Sequence, residues 1–409
     1  MTESITVHTK EIADITKEEA EKRGKHMKIK DLRVHMISSP IDTPFKYSQR
    51  WVYDRSSVLV EIEAEDGTVG WGESMCHGAQ YPQLAAAAIE YCYKPLVIGK
   101  DLFDVDVIWE SLFNYTEAVG QQGITTNAIS GIDIAIWDCM GKILGLPVCK
   151  LLGGAYRDKI YPYATGFYRI DGVKYPENAV EEAHRHMENG FTGMKLKVGF
   201  GVKDDIEYIH AVREAVGPDI KLMADFNCAY NQGNARTILY ETECDKLTFF
   251  EEPITPEDIE GYKALRNLTS TRIAAGECLF GKQNFKRWLE AGALDIYQPD
   301  ICSMGGFTEA RKFSAMAQAY NAQIIPHVWA SGVGLAASLQ FIASLPPAPL
   351  CMTPDEPMIE YDQSAHPFRL DLIGGACRLN KDGFVDVPMK PGIGVEVDRK
   401  VIEKYEIKF

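Results

Sequence analysis

The sequence predicts an α/β protein built around a parallel (β/α) barrel, with an α+β domain before it. Short strand-like runs alternate with amphipathic helical segments over residues 156–376, and a hairpin pattern with alanine-rich helices fills residues 27–155. Ionisable residues also recur near the ends of successive barrel runs. No GxGxxG motif follows any of these runs, which disfavours a doubly wound open sheet. A chain of 409 residues with 46% apolar residues can bury the large core that this architecture needs.

The parts outside the barrel have simpler patterns. Residues 1–26 are polar and rich in Lys and Glu, and we interpret them as an N-terminal extension. In residues 27–155, alternating apolar runs meet at an Asp66-Gly67 turn, which predicts a hairpin, and alanine-rich stretches at 83–93 and 127–144 predict helices. Residues 377–409 are again strand-like, so we expect them to pack back on the first domain.

The barrel segment contains seven strand-like runs and a less regular eighth. Amphipathic helical patterns such as 180–189 and 308–320 separate them, and this repetition is what a parallel barrel requires. The runs are 160–167, 193–199, 221–227, 247–253, 273–277, 295–300, 322–327 and 358–361.

Charge and cysteine usage narrow the class of partner. With 43 Lys and Arg against 58 Asp and Glu, the formal net charge is −15, which argues against non-specific binding to nucleic acid or anionic membranes. Ten cysteines without a CxxC pair disfavour a disulfide framework and fit a reducing compartment. Without a membrane-length apolar run or a secretory signal, the sequence favours a cytoplasmic protein that acts on a small molecule.

A pair of lysines ends the second barrel run. The C-terminal ends of barrel strands meet at one mouth, so polar residues there come together from distant parts of the sequence. Lys195 and Lys197 in Met-Lys-Leu-Lys-Val are two positions apart, so both face the barrel interior if the run is a strand. A lysine close to another cation loses its proton more readily and can serve as a base near neutral pH.

Three carboxylates end the next three runs. Asp225, Glu251 and Glu277 are separated by 26 residues in each step. Three oxygen ligands with open positions suit Mg²⁺ or Mn²⁺ and not zinc. Helix capping would explain any one of them but not all three in register. Glu252 should point to the opposite side of the strand from Glu251, so only one of the two can be a ligand there.

An aspartate and a histidine end the following two runs. Asp300 next to His327 would fix the tautomer of the imidazole and support its protonated form, an arrangement typical of acid–base catalysis. A Schiff-base aldolase on a similar barrel would need a lysine but not three carboxylates, and a non-catalytic barrel would need none of the set. The pattern therefore favours a metal-dependent enzyme.

Together these motifs resemble the mandelate racemase and muconate lactonizing enzyme branch of the enolase superfamily, over residues 27–409. The resemblance implies a (β/α)7β modified TIM barrel, capped by an α+β domain that the C-terminal segment completes. It also implies a Mg²⁺ cofactor, with Mn²⁺ as the alternative, and a homo-oligomer. The family's KxK pair, metal triad and Asp-His dyad match Lys195 and Lys197, then Asp225, Glu251 and Glu277, then Asp300 and His327.

Other stretches are similar to two groups within that branch, the galactarolactone cycloisomerases and the 3,6-anhydro-L-galactonate cycloisomerases. They include Asp42-Thr-Pro-Phe, Tyr163-Ala-Thr-Gly-Phe and Pro326-His-Val-Trp. Departures at Ala330-Ser331, where Gly-Thr is expected, and at Phe226-Asn-Cys, where Ala-Asn-His is expected, concern the substrate and not the chemistry. The resemblance implies substrate contacts from two cap loops and the barrel mouth, at Tyr47, Trp51, His77, Asn227, Trp329 and Glu360.

The implied reaction removes the proton alpha to the carboxylate of a sugar acid. Lys197 or His327 would take that proton, and Lys195 would help the metal hold the resulting enediolate. Expulsion of a ring oxygen makes the enzyme a cycloisomerase, an intramolecular lyase that forms a 2-keto-3-deoxy acid. Loss of a hydroxyl makes it a dehydratase, and return of the proton a racemase or epimerase. The residues fit all three, and the resemblance favours ring opening of 3,6-anhydro-L-galactonate or D-galactarolactone.

Overall fold

The computed structural model describes residues 27–76, 81–348 and 351–409. The predicted extension, residues 1–26, lies outside the described residues. Among the helices in the described ranges, none combines the length and the apolar character needed to cross a bilayer. The strands are β1 (Ile29–Tyr47), β2 (Arg50–Ala64), β3 (Val69–Ser74), β4 (Lys159–Thr165), β5 (Gly193–Lys197), β6 (Lys221–Asp225), β7 (Phe249–Glu251), β8 (Arg272–Ala275), β9 (Ile296–Tyr297), β10 (Gln323–Ile324), β11 (Met358–Asp362), β12 (Val385–Asp386) and β13 (Glu406–Ile407).

Helices cover one face of the cap sheet and surround the barrel. A π-helical segment, Ala88–Tyr93, follows the first helix, and short 3-10 turns lie at Glu243–Asp245 and Asp371–Ile373. The helices are α1 (Pro82–Ala87), α2 (Lys94–Val97), α3 (Val105–Tyr115), α4 (Ile124–Leu144), α5 (Val148–Leu151), α6 (Glu177–Glu188), α7 (Val202–Val216), α8 (Gln232–Glu241), α9 (Ile259–Arg266), α10 (Gly281–Ala291), α11 (Gly306–Ala319), α12 (Gly332–Ser344) and α13 (Arg399–Tyr405).

The cap is an antiparallel sheet in the order β13-β1-β2-β3. The predicted hairpin joins β2 to β3 at Asp66-Gly67, where the carboxylate accepts a hydrogen bond from Thr68 N–H at 2.8 Å and the glycine takes a φ of +86°. Helix α4 can lie directly on β3 because Gly72 has no side chain. A Cβ at that position would come within 2.1 Å of Gly131 O. The predicted α+β layer and both of its predicted helices are confirmed.

Eight parallel strands form the barrel, as the sequence predicts. Their order is β10-β9-β8-β7-β6-β5-β4-β11, so the eighth strand lies next to the first. Among the described residues no ladder joins β10 to β11, and there Val328 N–H donates to the Glu360 carboxylate at 3.1 Å. The barrel interior below the mouth is filled by Tyr163, Met223, Phe249, Ala274, Ile296, Ile325 and Met358. Met194, Leu196 and Val198 belong to the separate core outside the strands, so the two faces of β5 divide as the sequence predicts.

The C-terminal segment differs from the strand-like prediction in two places. β12 pairs with β4 of the barrel and not with the cap, and residues 393–397 form no strand. Asp138 of α4 accepts the Ile393 N–H at 2.7 Å, and Gly394 has a φ of +85°, so this backbone cannot join a ladder. Only β13, after α13, returns to the cap sheet beside β1. The predicted domain boundaries at 26/27, 155/156 and 376/377 stay predictions.

A buried carboxylate on β2 holds the C-terminal segment on the cap. Glu61 accepts hydrogen bonds from Arg33 at 2.6 Å and from Arg399 of α13 at 2.8 Å, and it lies 3.2 Å from His35 Nε2. Burial alone would raise the pKa of Glu61, but the hydrogen bonds from His35 and Arg399 and the nearby positive charges lower it to about 2. The ionised carboxylate is therefore the form that stabilises this contact.

Replacing Glu61 with glutamine should lower the free energy of unfolding by about 1–2 kcal/mol at pH 7, because the two arginines are partly exposed and screened by solvent. The folded-state pKa is depressed, so this contribution is complete above the unfolded value of 4.5 and is lost as the pH falls toward 2. Urea unfolding should show the difference in unfolding free energy between the wild type and Glu61→Gln narrowing from pH 5 to pH 3, a range below the raised pKa of His35. A difference in unfolding free energy that widens as the pH falls from 5 to 3 would contradict a stabilising role for the ionised Glu61 carboxylate.

Candidate active site

A cavity of about 230 Å³ opens where the barrel strands end, beneath the tip of the β1–β2 hairpin. Its walls come from strand ends of the barrel and from the hairpin. A more open depression of about 670 Å³ lies at the opposite end, where strands begin at residues such as Lys221 and Arg272. In barrels the chemistry belongs to the C-terminal ends of the strands. The cavity at that end is lined by Tyr47, Gln49, Arg50, Tyr168, Lys197, Asn227, Glu252, Glu277, Cys278, His327 and Trp329.

The structure brings the three predicted metal-binding carboxylates together. Asp225 ends β6, Glu251 ends β7 directly beside it, and Glu277 follows β8. One oxygen from each lies within 4.8 Å of the others, and all three residues are buried. Burial and the charge of Asp225 raise the pKa of Glu251. Buried carboxylates at this separation repel one another unless a cation lies among them, and an all-oxygen set suits Mg²⁺. The residues therefore fit the predicted ion.

Lys195 lies beneath the cavity floor and is fully buried. Its ammonium contacts both oxygens of Glu251, at 2.8 and 2.9 Å, and Glu360 at 2.8 Å. Two partners that the sequence analysis missed complete this network: Gln298 donates to Glu251 at 2.7 Å and Thr165 donates to Glu360 at 2.7 Å. Both residues lie at the C-terminal ends of barrel strands, and this position in the sequence indicates that they belong to the site. Lys195 therefore offsets negative charge below the triad.

Lys197 reaches the cavity and pairs with Asp225. It also donates to Asn227 Oδ1 at 3.2 Å. Burial opposes the charged form of Lys197, but the attraction of Asp225 outweighs it and raises the pKa of this lysine. Lys195 lowers the pKa of Lys197, as expected, but the attraction of Asp225 is larger, so the net shift is upward. Four carboxylates act on the two lysines, so the negative charge dominates.

The predicted dyad also forms. His327 Nδ1 lies 2.7 Å from Asp300 Oδ2. The other carboxylate oxygen of Asp300, Oδ1, accepts a hydrogen bond from Cys302 N–H at 2.7 Å. The opposite ring nitrogen, Nε2, lies 3.2 Å from Glu277. Burial disfavours the imidazolium, but the charges of Glu277 and Glu360 and the Asp300 hydrogen bond raise the pKa of His327 to about 10. The surrounding carboxylates therefore favour a protonated histidine facing the cavity.

Lys197 and His327, the two acid–base groups in the cavity lining, lie on different sides of the barrel mouth. Lys197 ends β5, and His327 follows β10. Around the barrel, β4 and β11 separate these strands on one side, and β6 to β9 separate them on the other. A substrate between them would meet one proton-transfer group on each face, with the carboxylate triad between.

Family comparisons agree with this geometry. Residues 30–153 match the model of the mandelate racemase / muconate lactonizing enzyme N-terminal domain. Residues 178–401 match the model described as enolase C-terminal domain-like. The chain belongs to the enolase superfamily.

Individual relatives in the superfamily cover almost the whole chain. The D-galactarolactone cycloisomerase of Agrobacterium fabrum is 40% identical over 93% of this chain and 99% of its own. The 3,6-anhydro-D-galactonate cycloisomerase from Zobellia galactanivorans is 36% identical over 93% of this chain and all of its own, with a TM-score of 0.81. A racemase from Streptomyces coelicolor A3(2) with bound magnesium is 27% identical, covers 93% of this chain and 100% of its own, and has a TM-score of 0.82.

The side chain of Glu252 does not point in the direction that strand alternation predicts. It was predicted to point away from Glu251, but the strand ends there and Glu252 takes a φ of +43°, which turns its carboxylate into the cavity. One of its oxygens lies within 4.8 Å of a ligand atom of Glu277 and of Cys278, and Cys228 Sγ–H donates to the carboxylate at 3.2 Å. Positive φ values also occur at Asn227 and Cys228. Strained backbone of this kind concentrates at functional sites.

The β1–β2 hairpin closes one side of the cavity at the barrel mouth. Ser48 donates to Phe226 O at 2.9 Å, and Gln49 donates to Asn227 O at 2.5 Å, so the hairpin tip is fastened to the strained loop after β6. Tyr47, a predicted substrate contact, lines the cavity, whereas Trp51 lies outside the lining with Lys46 Nζ 5.1 Å from its ring. The predicted contact from His77 lies outside the described residues.

A buried arginine of the cap holds Trp329, which forms one cavity wall. The Arg55 guanidinium stacks on the Trp329 ring at 3.9 Å and pairs with Asp362 of β11 at 3.1 Å. Arg369 contacts the same carboxylate at 3.0 Å. In the sequence only the alternation of Glu360-Tyr-Asp362, which points both acids inward, indicates this group.

Replacing Arg55 with alanine should lower the free energy of unfolding by about 2–4 kcal/mol, because it removes one of the two arginines that pair with Asp362 and leaves a void beside Trp329. Chemical denaturation measures this loss. The exposed Arg236→Ala variant should change stability by less than about 0.5 kcal/mol. Equal losses in both variants would show that Arg55 has no special role between cap and barrel.

Proposed function

We propose that this enolase-superfamily protein is a Mg²⁺-dependent sugar-acid cycloisomerase. The observation that carries the proposal is the carboxylate triad of Asp225, Glu251 and Glu277, buried at one barrel mouth between Lys197 and His327. This arrangement supports removal of a proton alpha to a carboxylate, the reaction that needs a base, an acid and a concentrated positive charge together.

In this proposal Asp225, Glu251 and Glu277 hold the ion. A bound Mg²⁺ supplies a site for the substrate carboxylate and a positive charge that offsets both Asp225 and the charge that grows as the proton leaves. Offsetting Asp225 removes the attraction that raises the pKa of Lys197. The Lys197 amine can then accept the α-proton. Lys195, held by Glu251 and Glu360, adds fixed positive charge below the site.

His327 acts as the acid, since Asp300 stabilises its protonated ring. When Lys197 takes the α-proton, the C–H electron pair forms a carbon–carbon double bond, and the bond from the β-carbon to the ring oxygen breaks. That oxygen leaves with the electron pair and takes the His327 proton. The enol product then tautomerises to a 2-keto-3-deoxy acid by gaining a proton at C3 and releasing one from its hydroxyl. No atom is lost overall, so the reaction is an isomerisation.

The proposed substrate class rests on two relatives that, by their names, are cycloisomerases of D-galactarolactone and 3,6-anhydro-D-galactonate. We propose a lactone or anhydro form of a hexose-derived acid, with the L-anhydro acid predicted from the sequence also to be tested. We expect Tyr47, Asn227 and Trp329 to contact it, and their position in the cavity lining supports this. Contacts from Trp51 and Glu360 stay predictions, since neither lines the cavity.

A panel of lactones, anhydro-acids, aldonates and aldarates, incubated with Mg²⁺ in D₂O and followed by NMR and mass spectrometry, tests this proposal. We expect ring opening of one cyclic acid to a 2-keto-3-deoxy acid of unchanged composition, with solvent deuterium at C3. A product lighter by one water would identify a dehydratase. Exchange without net conversion would identify a racemase or epimerase.

A further inference from the structure

Three side chains with metal-binding atoms lie together on the outer helical layer, and none of them lines the active-site cavity. His210 lies on α7, and Cys244 and Asp245 lie in the 3-10 turn after α8. One ligand atom of each lies within 4.8 Å of the others. The set combines a nitrogen, a sulfur and an oxygen, so it differs in chemistry from the all-oxygen triad at the barrel mouth.

The carboxylate of this cluster has an unusual environment. Asp245 is 7% exposed, and its Oδ2 is buried without a hydrogen-bond donor. The same oxygen lies 2.8 Å from His210 Nδ1. The two atoms are close, but the contact lacks the alignment of a hydrogen bond. A buried carboxylate oxygen without an aligned hydrogen-bond donor is costly, and a cation bound by both Asp245 and His210 would offset that cost.

The backbone around the cluster is fixed by its neighbours. Arg213, one turn after His210 on α7, donates to Asp245 O at 2.8 Å and to Ile220 O at 2.9 Å. The turn ends at Lys246, whose φ is +50°. The Arg213 hydrogen bond therefore ties α7, which carries His210, to the turn that carries Cys244. This bond does not involve the ligand atoms. Such outer contacts orient metal ligands and reduce the cost of binding.

We propose that His210, Cys244 and Asp245 form a second metal site, for a transition-metal ion of the zinc class with water in the fourth position. Imidazole and thiolate donors favour Zn²⁺ over Mg²⁺, which prefers oxygen. Bond lengths of about 2.0–2.3 Å put tetrahedral ligand atoms roughly 3.3–3.8 Å apart, which the cluster reaches with small side-chain adjustments. Binding releases the Cys244 proton and ties α7 to the turn after α8. This site does not depend on the proposed function.

Co²⁺ is a suitable probe, because a thiolate ligand gives it a charge-transfer absorption band that oxygen ligands do not. The full-length protein is first saturated with Mg²⁺ and then titrated with Co²⁺. We expect one Co²⁺ per chain to produce the band and Zn²⁺ to displace it. Cys244→Ser should abolish the band, and His210→Ala should weaken Co²⁺ binding at least about tenfold.

Two control variants separate this site from other thiols. Cys351→Ser changes another exposed cysteine, and Cys278→Ser removes the cavity thiol. Both should keep the band, and Zn²⁺ should raise the melting temperature of the wild type and of Cys351→Ser but not of Cys244→Ser. A wild-type protein without the band, a band that survives Cys244→Ser, or one that is lost only in Cys278→Ser would each overturn the proposal. His210 and Asp245 would then be a surface ion pair beside an uninvolved cysteine.

Discussion

Lys197→Ala is expected to lower kcat by about 10²–10⁴, the usual contribution of a positioned acid–base group. The side chain lines the cavity beside Asp225 and Asn227, and no other lysine among the described residues lines it. Steady-state rates and α-proton exchange in D₂O, measured on the substrate that the panel identifies, check this. Exchange should disappear together with turnover, because the proposal has Lys197 take the α-proton.

Lys203→Ala is the matched control, since this lysine is 85% exposed and lies on α7. It should keep wild-type kcat. His327→Asn should also stop ring opening but should retain slow α-proton exchange, because the proposed base remains. If Lys197→Ala exchanges the α-proton at the wild-type rate while His327→Asn does not, the roles of the two residues are reversed.

Glu251→Gln is expected to weaken Mg²⁺ binding at least about 100-fold and to lower kcat by about 10²–10³ or more. The substitution keeps the shape of the side chain but removes a charge from the triad and from the contacts with Lys195 and Gln298. Calorimetric titration with Mg²⁺ and the thermal shift on adding Mg²⁺ measure binding without turnover. The wild type should melt at a higher temperature with Mg²⁺, and the variant should not.

Glu214→Gln, on the exposed side of α7, controls for the loss of one negative charge. It should bind Mg²⁺ and melt as the wild type does. Chelation of the wild-type protein with EDTA should stop turnover, and added Mg²⁺ should restore it. Activity that survives chelation would favour a lysine Schiff-base mechanism, and unchanged Mg²⁺ affinity in Glu251→Gln would remove that residue from the metal site.

The barrel could be predicted because its strands repeat and because each polar strand end falls at the same place in the repeat. Lys195 and Lys197 illustrate this, since alternation along one strand decides which face each side chain meets. The same rule failed at Glu252, where the strand stops and a positive φ reverses the direction of the side chain. Alternation describes only residues that remain in the sheet.

Contacts between the two parts of the chain were harder to predict. Arg55 stacks on Trp329 although 274 residues separate them, and no local pattern marks that pairing. The C-terminal segment likewise has strand-like composition, but Asp138 takes the backbone N–H of Ile393 that a ladder would need. Charges also changed the expected behaviour of Lys197, because the carboxylates that surround it outnumber the lysines. Such effects depend on the whole arrangement and not on spacing.

A crystal structure of the protein with Mn²⁺, located by its anomalous scattering, tests the central claim most directly. The account predicts one ion at the barrel mouth, about 2.0–2.3 Å from one oxygen each of Asp225, Glu251 and Glu277, with Lys197 and His327 on different sides of it. An ion bound elsewhere with the mouth empty, or triad carboxylates that point away from one another, would contradict it.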